Sequence, residues 1–259
     1  MLLFEELKKY YPENIFEDNK NLVLVEYIQY ELLDSIFKMK GSEKISFMGG
    51  TAIRIVYDSS RFSEDLDFDN FGLSFDGFSD LLKRVVIDME QKGFDIEFKL
   101  VEKGAYHCYI KFPDLLYRNN LSNNKDEKIL VRIDTVSKEK RFESKLAKLD
   151  KFDIYQDIKV NPVDIILAQK FITIIQRKRP KGRDFYDISY LLGFSAPNYD
   201  FLKEEYEIKD KKDLKEKVLK KCDQIDFKEM ERGAQPFLIN PEKDKERILT
   251  FREYIEQKL

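Results

Sequence analysis

Apolar positions recur at helical spacing through residues 21–40. Val25, Ile28, Leu32 and Ile36 form one stripe, widened by Leu33 and Phe37, a pattern that predicts an amphipathic helix. Gly41 and Ser42 close it, residues 44–48 read as a short apolar strand running into Gly49-Gly50, and a second helix is expected from Thr51 to Tyr57. Beyond the polar link Ser59-Ser60-Arg61 the pattern becomes strict alternation in Asp65-Leu66-Asp67-Phe68-Asp69. Successive side chains of a strand point to opposite faces, so Leu66 and Phe68 are expected in the core and the aspartates together on the other face. A helix over residues 77–92 follows, with Phe78, Leu81, Leu82, Val85, Val86 and Met89 on its buried side. Strands over 95–102 and 105–112 meet at Lys103-Gly104 as a hairpin. After a loop-like stretch over 117–127, a strand over 128–136 puts Leu130, Arg132, Asp134 and Val136 on one face and Ile129, Val131, Ile133 and Thr135 on the other.

Past Asp157 the pattern turns helical. Asn161-Pro162 reads as an N-cap and first-turn pair for an apolar helix over 162–177. Tyr186–Leu192 reads as another helix, and the Lys/Glu-rich stretches 201–224, 228–231 and 243–259 read as surface helices of a small bundle. The expected architecture is α/β: a mixed sheet with flanking helices over residues 1–155, then a helical domain over 156–259 that closes one side of a cleft.

Composition narrows the chemistry. The 259 residues are 42% hydrophobic and 37% charged with both signs mixed, which is the profile of a soluble globular protein. No apolar run approaches the length of a membrane span, and the first residues lack a signal-like pattern, so a cytoplasmic protein away from membranes is expected. The single histidine, His107, and the cysteines Cys108 and Cys222 have no metal-ligand or triad spacing. Acid–base and metal work therefore falls to carboxylates and lysines. A net charge of −3 gives no global pull toward nucleic acid, so any such binding needs a local basic patch.

The acidic strand is the main chemical signal. Asp65 and Asp67, one strand repeat apart, repel each other unless a cation holds them, and they suit a hard divalent ion such as Mg²⁺, with Mn²⁺ as an alternative. Asp134, an acid within an apolar strand, is the candidate third ligand, its alternative being an ion pair with Arg132. Gly49 and Gly50 permit close approach of a phosphate, and Thr51 adds a hydroxyl near the positive end of a helix. Arg61 and Ser63 flank the acids and could hold phosphate oxygens, or Arg61 could pair with Asp58 or Glu64. Lys170 sits within an apolar stripe, where a lysine either snorkels or reaches an anion. Arg177-Lys178-Arg179-Pro180-Lys181-Gly182-Arg183 holds five cations in seven residues, fit to bind phosphates or to be a solvated turn. Asp184 and Asp187 share a helix face and could pair with Lys170 or that turn.

Taken together these residues resemble the AbiEii-like family of bacterial abortive-infection toxins, within the polymerase-β-type nucleotidyltransferases. The likeness rests on Phe47-Met48-Gly49-Gly50-Thr51-Ala52-Ile53, on Arg61-Phe62-Ser63-Glu64-Asp65-Leu66-Asp67-Phe68, and on the later Ala168-Gln169-Lys170 and Arg183-Asp184-Phe185-Tyr186-Asp187-Ile188. The resemblance implies a polymerase-β-like sheet and an enzyme that transfers a nucleotide from an NTP to an acceptor hydroxyl with release of pyrophosphate. By resemblance, Gly49, Gly50, Thr51 and Ser63 contact the triphosphate, Asp65 and Asp67 hold Mg²⁺, Lys170 approaches the phosphates, and Asp184 or Asp187 is a late-motif acid needed for activity. Arg183 stands where a lysine is also common. The family implies a separately encoded antitoxin and RNA, notably tRNA, as acceptor. The competing readings are nucleotidylation of a small molecule or protein, and a non-catalytic nucleotide- or partner-binding module.

Overall fold

Seven strands form one mixed sheet in the computed structural model, which describes residues 1–139 and 142–259. Its strands are β1 (Ile45–Met48), β2 (Leu66–Asn70), β3 (Glu97–Glu102), β4 (Tyr106–Phe112), β5 (Ile129–Ser137), β6 (Lys145–Lys151) and β7 (Ile154–Val160). Their order is β3-β4-β5-β2-β1-β7-β6. The pairs β2–β5 and β1–β7 are parallel, the rest antiparallel. The sheet and its helices make up one unit, residues 1–56, 63–139 and 144–160; residues 57–62, 142–143 and 161–259 make up a second.

In the first unit, α1 (Lys20–Lys38) and α3 (Phe75–Gln91) pack on each other and against the sheet, with α2 (Gly49–Val56) between β1 and β2 in sequence. The predicted stripes face inward: Leu32, Leu33, Ile36, Leu81, Leu82, Val85 and Met89 are fully enclosed. Phe68 of β2 meets Phe47 and Phe37 with ring centroids 5.5 and 6.2 Å apart. That contact fixes the face of β2 that enters the core and so turns Asp67 to the other. Ser74 caps α3 by accepting from the Gly77 N–H.

The β6–β7 hairpin has no counterpart among the predicted elements. Its turn residues Phe152 and Asp153 both have positive φ, 59° and 61°, a conformation usually supplied by Asn-Gly. Phe152 is nevertheless held there, its ring buried against Tyr27 and Tyr30.

The second unit is helical: α4 (Val163–Gln176), α5 (Gly182–Leu191), α6 (Tyr199–Tyr206), α7 (Lys211–Cys222), α8 (Phe227–Ala234) and α9 (Phe251–Lys258), with a 3-10 turn (Gln235–Phe237) and two four-residue helices (Pro241–Asp244 and Glu246–Leu249) between the last two. The expected single helix over 201–224 is two, because Glu207 takes a left-handed conformation that ends α6 and Asp210 caps the start of α7. Pro162 rather than Asn161 occupies the N-cap of α4, and the Asn161 amide turns inward to donate to Gln169. Residues 57–62 are sewn into this unit by backbone bonds from Phe62 N–H to the Phe237 carbonyl (2.8 Å) and from Ile239 N–H to the Ser60 carbonyl (3.2 Å).

Candidate active site

The parallel pairing of β2 with β5 sets Asp67 level with Asp134, and the antiparallel pairing of β5 with β4 sets Asp134 level with His107. Three residues far apart in sequence thus share one row across the sheet, on the face opposite the core. Asp134 is half-buried, its Oδ1 2.8 Å from His107 Nδ1 and its Oδ2 2.8 Å from Arg132 Nε. The same guanidinium reaches Asp65 through Nη2 at 2.9 Å. Arg132 therefore stands between two of the three predicted metal ligands. Sequence showed it only as a partner for Asp134; its reach to Asp65 depends on the strand pairing.

This cluster is electrostatically loaded. Burial pushes the Asp65 carboxyl above its ordinary range, and Asp134 and Glu64 push the same way against the pull of Arg132. Burial works against the Arg132 charge, but Asp65, Asp134 and Asp67 outweigh it. Among the described residues no three His, Cys, Asp or Glu side chains converge closely enough to hold a metal ion as they stand. In kind, however, carboxylates gathered round a cation are the donor set a hard divalent ion takes, with the guanidinium as the stand-in charge.

Gly49 turns out of β1 with φ +79°, a conformation costly for other residues, and α2 begins there. A Cβ on Gly49 would run into the Asp67 carboxylate and lie 2.9 Å from the Asp67 Cβ. The glycine is thus needed twice, for its φ and to leave room for Asp67. Gly49→Ala is expected to displace Asp67 and weaken binding of NTP with Mg²⁺ about tenfold or more while β1 and β2 stay paired; titration calorimetry on the variant checks this, and unchanged binding would count against the role given to Asp67. Gly50 and Thr51 are buried, and the Thr51 hydroxyl donates to the Asp65 carbonyl at 2.5 Å. That hydroxyl therefore ties α2 to the acidic strand instead of pointing at a ligand. Ser63 is half-buried, its carbonyl accepting from Gln29 at 2.9 Å.

The remaining candidates gather in the second unit. Arg61 departs from expectation: its side chain is 2% exposed and grips neither Asp58 nor Glu64 but both oxygens of Asp187, at 2.6 Å each. It is a buried structural cation, not one presented to phosphate. Lys170 bridges Asp187 (2.8 Å) and Asp184 (3.2 Å), so the ammonium expected at the phosphates is already held by two carboxylates. Asp184 also takes Arg177 (2.7 Å) and the Lys181 N–H (3.2 Å). Arg183 lies 3.9 Å above the Phe237 ring. For Asp184, burial raises its pKa but Lys170 and Arg177 outweigh it, holding the carboxyl below its ordinary range; for Lys170, burial is outweighed by Asp187 and Asp184, and the pKa is raised.

These shifts set a pH window. The depressed Asp184 contributes stability that is complete above its unfolded pKa of about 3.9 and is lost as pH falls through the lower folded value; the raised Lys170 contributes below its unfolded pKa of about 10.4 and loses that only at more alkaline pH. The melting temperature is expected to be flat from about pH 5 to 9 and to drop below about pH 4. Circular-dichroism melts across that range test it, and a decline confined to pH 6–8 would contradict it.

A strand, a Gly-Gly helix start and an acidic strand follow one another on a seven-stranded mixed sheet, as the resemblance to the nucleotidyltransferases implies. The family described as "Nucleotidyl transferase AbiEii toxin, Type IV TA system" matches residues 31–257, and the chain belongs to it. Membership in a type IV toxin–antitoxin family implies an antitoxin partner and an NTP substrate. Among solved structures, the fold is similar to MenT4, a nucleotidyltransferase toxin from Mycobacterium tuberculosis H37Rv, at 13% identity over 99% of this chain and 90% of that one, with a TM-score of 0.62. It is also similar to JHP933 from Helicobacter pylori, at 16% identity over 92% and 93% of the two chains, with a TM-score of 0.56. No curated protein matches the sequence. Among the described residues no helix is long and apolar enough to cross a membrane.

Proposed function

We propose that this toxin transfers a nucleoside monophosphate from an NTP to a hydroxyl of RNA, tRNA first among candidates, in a Mg²⁺-dependent reaction. The observation that carries the reading is the row Asp67–Asp134 set against the Gly49 turn, which places carboxylates beside a helix start. Asp65, Asp67 and Asp134 would hold the ion, with Mn²⁺ as an alternative. Bound there, the ion would supply charge neutralisation at the phosphates and a lowered pKa for the acceptor hydroxyl.

The chain's own residues do the rest. The first N–H groups of α2 have no partner within the helix and lie at its positive end, so Gly49, Gly50 and Thr51 would orient a triphosphate through backbone rather than side chains. The hydroxyl oxygen attacks the α-phosphorus, its proton passes to solvent or a nearby carboxylate, and pyrophosphate leaves. Arg132 holds Asp65 and Asp134 against their mutual repulsion before substrate arrives. Asp184 and Asp187 with Lys170 would support the reaction by fixing α4 against α5. RNA as acceptor rests on the family resemblance.

Incubating the purified protein with total tRNA, Mg²⁺ and each α-labelled NTP tests the reading. Label that ribonuclease removes is expected with at least one NTP. Label that survives ribonuclease would move the acceptor to a protein or small molecule, and no label with any NTP would overturn the proposal.

A further inference from the structure

The basic run before α5 reads from sequence as either a solvated turn or a phosphate-binding element, and its packing bears on that choice. Pro180 is buried, Gly182 is seated so closely on α8 that a Cβ would collide with the Met230 carbonyl, and Arg183 is stacked on Phe237. Pinned in this way, the run forms one wall of a concavity of about 590 Å³, with Arg232 and Glu229 of α8 on the other wall. Lys178 and Arg179 are exposed on the stretch leading into it. Lys178, Arg179, Lys181 and Arg232 have no carboxylate within ion-pair distance among the described residues. Lys181, Arg183 and Arg232 therefore line this concavity against one carboxylate, Glu229, and Lys178 and Arg179 add two exposed cations on the stretch before it, in a chain whose net charge is −3. Asp184 already accepts from the Lys181 N–H, so the cations carry the attraction rather than the α5 terminus.

We propose that this cleft binds the phosphodiester backbone of a nucleic-acid strand. Its cations are spread along two walls and a leading loop, which suits a chain of single charges better than one compact triphosphate. The aromatic ring near it, Phe237, is covered by Arg183 and is not offered to a base, so contact would be to backbone and independent of sequence. Holding the run in place before binding lowers the ordering cost of each contact. The proposal rests on the RNA-acceptor reading only for the identity of the strand.

Fluorescence anisotropy of the whole protein with labelled tRNA, without NTP, provides the test. Binding to single strands weakens with salt by about 0.7 log units per tenfold salt for each phosphate neutralised. The triple variant K178E/R179E/K181E is expected to lose about 2 units of that slope and at least tenfold in affinity at 100 mM salt (roughly, by the same relation). A control with the same charge change on α7, K211E/K212E/K220E, should bind as wild type. E229Q should tighten binding, an effect a merely structural role would not produce. Equal losses in the two triple variants, no tRNA binding by the wild type, or competition by tripolyphosphate as effective per mole as by tRNA would each overturn the inference. Cleft-dependent tRNA binding without label transfer would sink the RNA-acceptor reading and leave the cleft standing. Label transfer with binding unchanged in K178E/R179E/K181E would do the reverse.

Discussion

Replacing Asp187 by alanine should lower the stability of the helical unit by about 3–5 kcal/mol, the cost of leaving a buried charge without its partner. Arg61 is the charge left behind. Its side chain is 2% exposed and that of Asp187 is 0% exposed, and two hydrogen bonds of 2.6 Å join them across 126 residues of sequence. Burial opposes the Arg61 charge, and Asp187 is the largest compensating influence. Lys170 would also lose its 2.8 Å partner and keep only Asp184. Denaturant melts of wild type and variant provide the measurement. The double replacement of Arg61 by Met and Asp187 by Leu separates pair from packing: a hydrophobic pair of similar volume is expected to recover most of the loss, since buried ion pairs often contribute little net stability. A loss of less than about 1 kcal/mol for Asp187→Ala would show that solvent reaches Arg61.

Asp67→Ala should abolish nucleotidyl transfer while leaving the fold intact. Asp67 is half-buried on the face of β2 opposite the one from which Leu66 and Phe68 enter the core. Truncation removes no core contact, so the melting temperature should fall little. Outer-shell partners of a metal ligand typically matter by about 10–100-fold, and a direct ligand should matter more than about a hundredfold. Initial rates of label transfer at saturating Mg²⁺ measure the effect. A rate within about threefold of wild type would remove Asp67 from the site, because no charge-neutralising role of that size survives loss of the carboxylate.

Much of the first unit was legible because its strands alternate cleanly. In β5 the buried residues Ile129, Val131, Ile133 and Thr135 are separated by the outward positions 130, 132, 134 and 136, as the alternation predicts. The α1 stripe was equally plain. The β6–β7 hairpin was not: Leu146 and Tyr155 are apolar yet 72% and 73% exposed, which blurs the period. Its turn relies on a Phe held at positive φ by contacts with α1 rather than on local residue preference.

The sequence by itself determined the local chemistry: a Gly-Gly helix start, aspartates on one face of a strand, and a basic run ending at Pro180-Lys181-Gly182. Those are properties of neighbouring residues, set by steric limits at glycine and by the two-residue period of a strand. Tertiary structure alone decided the partners. Register between β2 and β5 made Asp67 and Asp134 neighbours, and the same pairing brought Arg132 to Asp65. Packing of residues 57–62 onto the helical unit converted Arg61 from a candidate phosphate ligand into the buried counterion of Asp187. A charged side chain takes its role from whichever opposite charge is closest in space once water is removed, and sequence distance carries no information about that.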